Sequence, residues 1–379
     1  MPNPTTFAFS SPVTPDWQGF LRCLQRAGTP ERVHFIELII DGEVQDEICH
    51  RFNLLDGIDP ADPHFLYRKQ IAVQSFLGYD YVVCPGNVGE SLDAALPHNS
   101  LVAADTAGLR RTGGRSYVDE HFGPITNWKE FDAYPWPDAS AVCTRGLEWF
   151  NQNLPEGMCL IGGLVGSLYE NLSWLMGYET LCLALYEQRD LVAAISRRLT
   201  ELYCCELEHI LKYERVKVVW GSDDLGFKTG TLISPRDLRE FVLPGHRALA
   251  RMAHDAGRPY ILHSCGKLDQ IIDDLVDDIG IDGKHSYEDT IADVRDLKAT
   301  LGSRVALLGG IDVDFLCRSS EAAIRQRVRE TLCVCQPGGG YCLGTGNTVA
   351  NYIPVENYLV MLDEGRRFRS PGGADDGVR

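Results

Sequence analysis

His263-Ser264-Cys265-Gly266 sets an imidazole and a thiol two residues apart at the end of an apolar run, Tyr260 to His263. Cys342 falls in a second such run, Tyr341 to Gly344. Residues two apart in an extended chain share a face, so His263 and Cys265 can reach one point. One nitrogen and two sulfurs form a borderline-soft donor set that suits zinc, and three protein ligands leave a fourth position for water or substrate. Zinc in such a site is a Lewis acid rather than a redox centre. His-x-Cys by itself is a weak pattern, because buried thiols often lie beside histidines by chance. Cys333 and Cys335 form a further Cys-x-Cys pair, but they end a helical stretch and read as core or surface thiols.

The elements that must position these residues are eight short β-type runs. They are Val33 to Ile40, Tyr81 to Cys84, Cys159 to Gly162, Val218 to Gly221, Tyr260 to His263, Ile279 to Gly283, Val305 to Leu308 and Tyr341 to Gly344. The middle runs are continuously apolar, as parallel strands covered on both faces are, and most are followed by a polar turn and a helical stretch. The expected fold class is α/β, a (β/α)8 TIM barrel. Residues 1–379 then form a single domain, with 1–30 as a lead-in, 85–158 as a helical and loop insertion over the mouth between strands 2 and 3, and 370–379 as a loose tail. Ser234-Pro235 should open a helix that Pro244-Gly245 breaks or kinks.

In parallel barrels the active site forms at the carboxyl ends of the strands. Glu37, Asp41, Asn87, Asp223, Asp224, His263, Cys265, Lys284, His285, Glu288, Asp312, Cys342 and Asn347 fall there. The fifth and eighth strands open onto one mouth, so Cys342 is expected to join His263 and Cys265. Asp223 and Asp224 are expected to bind substrate or to hold the free ring nitrogen of a ligating histidine. Tyr169, Trp174 and Tyr178 are either an aromatic pocket lining or core.

Composition narrows the partners. A formal net charge of −17 argues against binding a nucleic-acid backbone. The acidic stretch Asp269 to Asp282 alternates carboxylates with Ile, Leu and Val, as an amphipathic helix with a solvated face does. No apolar stretch approaches the roughly 20 residues that cross a bilayer, and Met1 to Pro15 does not read as a secretory leader. Thirteen irregularly spaced cysteines fit a reducing compartment, so a cytoplasmic protein with free thiols is expected.

His-x-Cys at a strand end, followed after a long gap by a lone Cys, resembles the zinc pattern of the corrinoid-dependent methyltransferases of the uroporphyrinogen decarboxylase superfamily. Tyr169-Glu170, Leu175-Met176-Gly177-Tyr178-Glu179, Trp220-Gly221-Ser222-Asp223-Asp224, Gly344-Thr345-Gly346-Asn347 and Ile353-Pro354-Val355-Glu356-Asn357 extend the likeness over roughly the last two-thirds of the chain. The resemblance implies zinc held by His263, Cys265 and Cys342, with Glu288 as an exchangeable fourth ligand and Asp289 as its alternative. It implies Tyr169 and Asn347 near the substrate, which is a small methylated compound or a thiol. The methyl group would pass to or from a corrinoid. A corrinoid module of this kind carries Asp-x-His-x-x-Gly; here only Asp62-Pro63-His64 begins the pattern, and Tyr67 stands in the glycine's place. The corrinoid is therefore expected on a partner protein, and a homodimer is the common state for such enzymes.

Two alternatives stay open from sequence. True uroporphyrinogen decarboxylases carry arginines in the first strand, whereas this chain reads Phe35-Ile36-Glu37-Leu38-Ile39-Ile40-Asp41 and offers only Arg110, Arg111 and Arg115 for a polyanion. The other alternative is a barrel that binds a metabolite without catalysis, its zinc structural or absent.

Overall fold

The structure is a computed structural model and describes residues 7–84, 92–138 and 142–369. Asn87 and the tail 370–379 lie outside the described residues. Backbone contacts divide the chain into two compact units. A central unit comprises Tyr81–Thr106 and Arg110–Lys284, and a terminal unit comprises Met1–Asp80, Ala107–Leu109 and His285–Arg379.

The central unit is built on four parallel strands adjacent in the order β1 (Tyr81–Cys84), β4 (Cys159–Val165), β5 (Val216–Ser222) and β8 (Tyr260–His263). Between β1 and β4 lie an antiparallel hairpin, β2 (Ser100–Ala103) with β3 (Arg115–Val118), and the helices Leu92–Ala95, Trp128–Ala133 and Arg145–Asn153. A two-residue pair, β6 (Gly226–Phe227) with β7 (Gly230–Thr231), follows β5. The core strands are buried almost throughout, which explains their unbroken apolar runs. β5 and β8 pair as Trp220↔Ile261, Gly221↔Leu262 and Ser222↔His263. That register ends both strands at the same level, so the residues just after Ser222 face those just after His263.

Helices Leu168–Met176, Arg189–Ile210 and Leu243–Asp255 belong to the same unit. Pro244 does not stop its helix. A π-helical turn, Leu238–Val242, absorbs the lost hydrogen bond, and the helix continues with Pro244 in its first turn. Gly245 permits close packing here, since a Cβ would lie 2.5 Å from Leu168 Cδ1. The acidic stretch is a solvated face with its charges paired: Asp274 to Arg239 at 2.7 Å and Asp282 to His254 at 2.8 Å. The expected strand at Ile279 is displaced, because Leu275, Val276 and Ile279 are buried as one face of the π-helical turn Asp274–Ile279. Gly280, at φ 78°, ends that turn, and β9 begins only at Gly283 (Gly283–His285).

The terminal unit contains parallel β10 (Ala306–Leu308) and β11 (Tyr341–Cys342). The run Val33 to Ile40 is not a continuous strand. It makes parallel bridges only at Phe35 with Leu343 and Ile40 with Val349. Between them the facing segment turns at Thr345, whose N–H and hydroxyl both bond the Glu37 carboxylate. Helices Gly42–Phe52, Phe65–Leu77, Glu321–Cys335 and Val355–Arg367 belong to this unit. All thirteen cysteines are free thiols. Among the described residues no helix is long and apolar enough to cross a membrane.

Candidate metal centre

Three potential ligands meet just past the ends of β5 and β8. Asp224, His263 and Cys265 bring one donor atom each within 4.8 Å of one another. Cys265 Sγ lies 3.4 Å from His263 Nε2, which lies 3.3 Å from Asp224 Oδ1. Tetrahedral zinc with bonds of about 2.0–2.3 Å holds neighbouring ligand atoms roughly 3.3–3.8 Å apart, and the His263–Cys265 and His263–Asp224 separations are of that size. The Cys265 N–H donates to Asp224 Oδ1 at 3.1 Å and fixes the carboxylate beside the ring. Burial opposes ionisation of Asp224, but the His263 ring and the Cys265 N–H outweigh it and hold the carboxyl at about 2. Asp224 is thus ionised at neutral pH, as a carboxylate ligand to a cation should be.

Backbone packing holds the Cys265 loop. Gly266 has φ 83°, and a Cβ there would lie 2.2 Å from the backbone carbon of Gly226. The Lys267 N–H donates to the Phe227 carbonyl at 2.8 Å, and the Leu225 N–H donates to the Ser264 hydroxyl at 3.1 Å. Gly266→Ala should therefore cost on the order of 1–2 kcal/mol from conformation alone, with the clash added, and displace Cys265. Thermal melting and metal analysis check this; a variant unchanged in both would show that the loop does not position the thiol.

Asp223 and Asp224 point opposite ways, as consecutive residues leaving a strand do. Asp223 is fully buried and accepts the N–H groups of Tyr169 at 2.9 Å and Glu170 at 3.0 Å, in the first turn of the Leu168–Met176 helix. It also bonds His246 Nε2 at 2.9 Å, and His246 Nδ1 lies 3.1 Å from the Tyr260 hydroxyl. Burial pushes its carboxyl up, against the pull of His246 and the helix N–H groups. Both oxygens are engaged, and Asp223 ties the strand end to a helix N-terminus. Tyr169 is buried beside Ser173, Tyr178 and Cys182, and burial raises its phenol.

Cys342, the third ligand expected from sequence, belongs to the terminal unit. Its thiol is fully buried in the terminal unit against Cys23, at the end of the helix Trp17–Leu24. β11 stops at Cys342, and the chain beyond turns at Gly344 towards Glu37. Glu288 and Asn347 also belong to the terminal unit. Glu288 precedes a turn in which the Ile291 and Ala292 N–H groups donate to its carbonyl. Asp289 is bidentate to Arg327, at 2.6 and 3.1 Å. The Asn347 side chain accepts the Thr348 N–H at 2.8 Å.

The model of the Uroporphyrinogen decarboxylase (URO-D) family matches residues 113–368, which include the whole His263-Ser264-Cys265 segment. The chain belongs to this family. Two curated relatives are methyltransferases of Methanosarcina species. The chain is 28% identical over 155 residues to the methylated-thiol–coenzyme M methyltransferase of Methanosarcina mazei, covering 40% of this chain and 39% of that protein. It is 27% identical over 159 residues to the methylcobamide:CoM methyltransferase MtaA of Methanosarcina barkeri, covering 41% and 44%. The matches span about two-fifths of the length of these relatives. A solved methyltransferase from Methanosarcina mazei shares the fold, with a TM-score of 0.65 at 18% identity over 92% of this chain and 97% of that one.

His246 and the Gly226–Gly266 contact were not singled out from sequence. A histidine on the apolar face of a helix, right after Pro244-Gly245, was the available sign for the first. Two isolated glycines carry no such sign, because their closeness is a product of folding.

Proposed function

We propose that this chain is a zinc-dependent methyltransferase that moves a methyl group between a small methylated substrate or thiol and a corrinoid carried by a partner protein. The observation that carries the reading is the Asp224, His263 and Cys265 cluster at the ends of two adjacent parallel strands. The names of the two curated relatives support the reaction class. A zinc ion held there supplies Lewis acidity, which lowers the pKa of a thiol or makes a methyl-bearing heteroatom a better leaving group. His263 and Cys265 orient the donor set, and the Asp223 anchor keeps Asp224 at the ring. Asp224, His263 and Cys265 would hold the ion and would leave room on it for the substrate's heteroatom. Tyr169, whose N–H is fixed by Asp223, is assigned to the substrate side. The reading includes a (β/α)8 barrel, with residues 85–158 over its mouth, and a cytoplasmic location.

The test supplies methylcob(III)alamin and a panel of thiols to the purified full chain and follows the cobalamin spectrum. Cob(I)alamin with methylated thiols, ethers and amines tests the reverse direction. Methyl transfer should require zinc and should cease on chelation. Carbon dioxide release from a porphyrinogen without cobalamin, or no transfer with any corrinoid, would overturn the reading.

A further inference from the structure

The last turn of the helix Val355–Arg367 buries a cation that has no carboxylate beside it. Arg366 is 7% exposed, and its guanidinium donates to two backbone carbonyls, Ser11 at 3.0 Å and Phe76 at 2.8 Å. The Phe9 ring lies over it, with the ring centroid 3.3 Å from Cζ. Its Nε–H is buried without a partner, and among the described residues it forms no ion pair. The acids of this region are committed elsewhere. Asp363 accepts the Ser10 N–H at 2.7 Å and pairs with Arg325 at 2.9 Å and Arg367 at 3.0 Å, and Asp80 is taken by Arg32 and His34. Burial pulls the Arg366 guanidinium down to about 10, and the charge of Arg32 acts in the same sense against Asp363 and Tyr79. Arg366 is still a cation at neutral pH, and buried charges are paired as a rule.

Arg366 lines a cleft of about 340 Å³ in the terminal unit, between the segment Ser11–Thr14, the start of the run at Val33 and the end of its own helix. Arg32 and the exposed Arg369 line it too, and the acid on its wall is the exposed Glu31. Asp80 balances Arg32, which leaves Arg366 and Arg369 facing Glu31 alone and the cleft cationic, in a chain whose formal net charge is −17. Val13, Val33 and Phe368 make the rest of the wall apolar.

We propose that this cleft binds a small organic carboxylate, its anionic group on Arg366 and Arg369 and its apolar body against Val13, Val33 and Phe368. A planar guanidinium matches a carboxylate in geometry as well as in charge. A phosphate dianion has no apolar part to set against Val13 and Val33, and its second charge would stand unbalanced. The site lies in the terminal unit, whereas Asp224, His263 and Cys265 belong to the central one, so it stands independently of the methyl-transfer reading.

Isothermal titration of the purified full chain with butyrate, at neutral pH and low ionic strength, should show saturable binding at one site per chain, and the thermal midpoint should climb with butyrate concentration. Butyramide, of the same size without the charge, should not bind, and inorganic phosphate should bind on the order of tenfold more weakly than butyrate. Arg369→Glu reverses a charge on the exposed rim and should weaken butyrate on the order of tenfold or more, with the fold checked by circular dichroism. Arg366→Lys keeps the charge and loses the fork, and should weaken it as well. Binding should persist in Cys265→Ala and in the chain treated with a chelator. Absence of saturable binding, equal binding of butyramide, phosphate binding as tightly as butyrate, or an unchanged Arg369→Glu would each overturn the proposal. So would binding lost with Cys265 or with the metal, which would place the carboxylate at the metal centre.

Discussion

Cys265→Ala and His263→Ala should each lower zinc from about one ion per chain to a small fraction of that, and abolish methyl transfer. Removing groups that merely orient metal ligands costs 10–100-fold in affinity, so loss of a ligand should cost more than roughly 100-fold. Asp224→Asn keeps the size of the side chain and one oxygen but removes the charge that the His263 ring and the Cys265 N–H hold. An intermediate loss is expected there. Cys342→Ala should keep its zinc, because that thiol is buried against Cys23. Metal analysis of the four proteins, each checked for folding by circular dichroism, gives the answer. Zinc lost from Cys342→Ala and retained in Asp224→Asn would restore the His263, Cys265 and Cys342 triplet.

Glu37→Gln should stabilise the protein at pH 7–8 by about 3 kcal/mol while changing little at pH 5. Glu37 is buried, and burial pushes its carboxyl up to about 8, although both Thr345 bonds favour the ionised form. A folded-state pKa above the unfolded value means that the protonated acid stabilises the fold. That contribution is complete below about pH 4.5 and is lost as pH rises through 8. Glutamine resembles the protonated acid. Its oxygen can accept the Thr345 N–H, and its amide can donate to the Thr345 hydroxyl, which already donates to the Asn347 carbonyl. Thermal midpoints at pH 5 and pH 8 check this, with a gain of roughly 5 °C expected at the higher pH only. An equal difference at both pH values would mean that Glu37 is ionised in the folded protein.

Local chemistry was legible in the sequence. Unbroken apolar runs placed β1, β4, β5 and β8 in register with what folding produces, because strands buried on both faces need no alternation. That His263 and Cys265 meet was legible in His263-Ser264-Cys265, because two residues on one face of an extended end converge whatever the rest of the chain does. Asp223 and Asp224 were placed at a strand end, but the different partners they take depend on which element packs on each side. A helix N-terminus meets Asp223, and an imidazole meets Asp224.

Elsewhere a local pattern met a competing tertiary one. Ile279 carries the apolar character of a strand, yet its neighbours Leu275 and Val276 bury it as a helix face, and Gly280 then resets the chain. The run from Val33 to Ile40 reads as a strand, but Glu37 captures Thr345 and interrupts the ladder. Cys342 reads as a ligand by type and spacing. A thiol's partner is set by the few ångströms around its sulfur, and those are filled by Cys23, more than three hundred residues earlier in the chain. The sequence by itself therefore determined which residues can do chemistry and which short segments carry them. Only the tertiary structure decided which of them meet, because contacts between residues distant in sequence depend on the packing of whole elements.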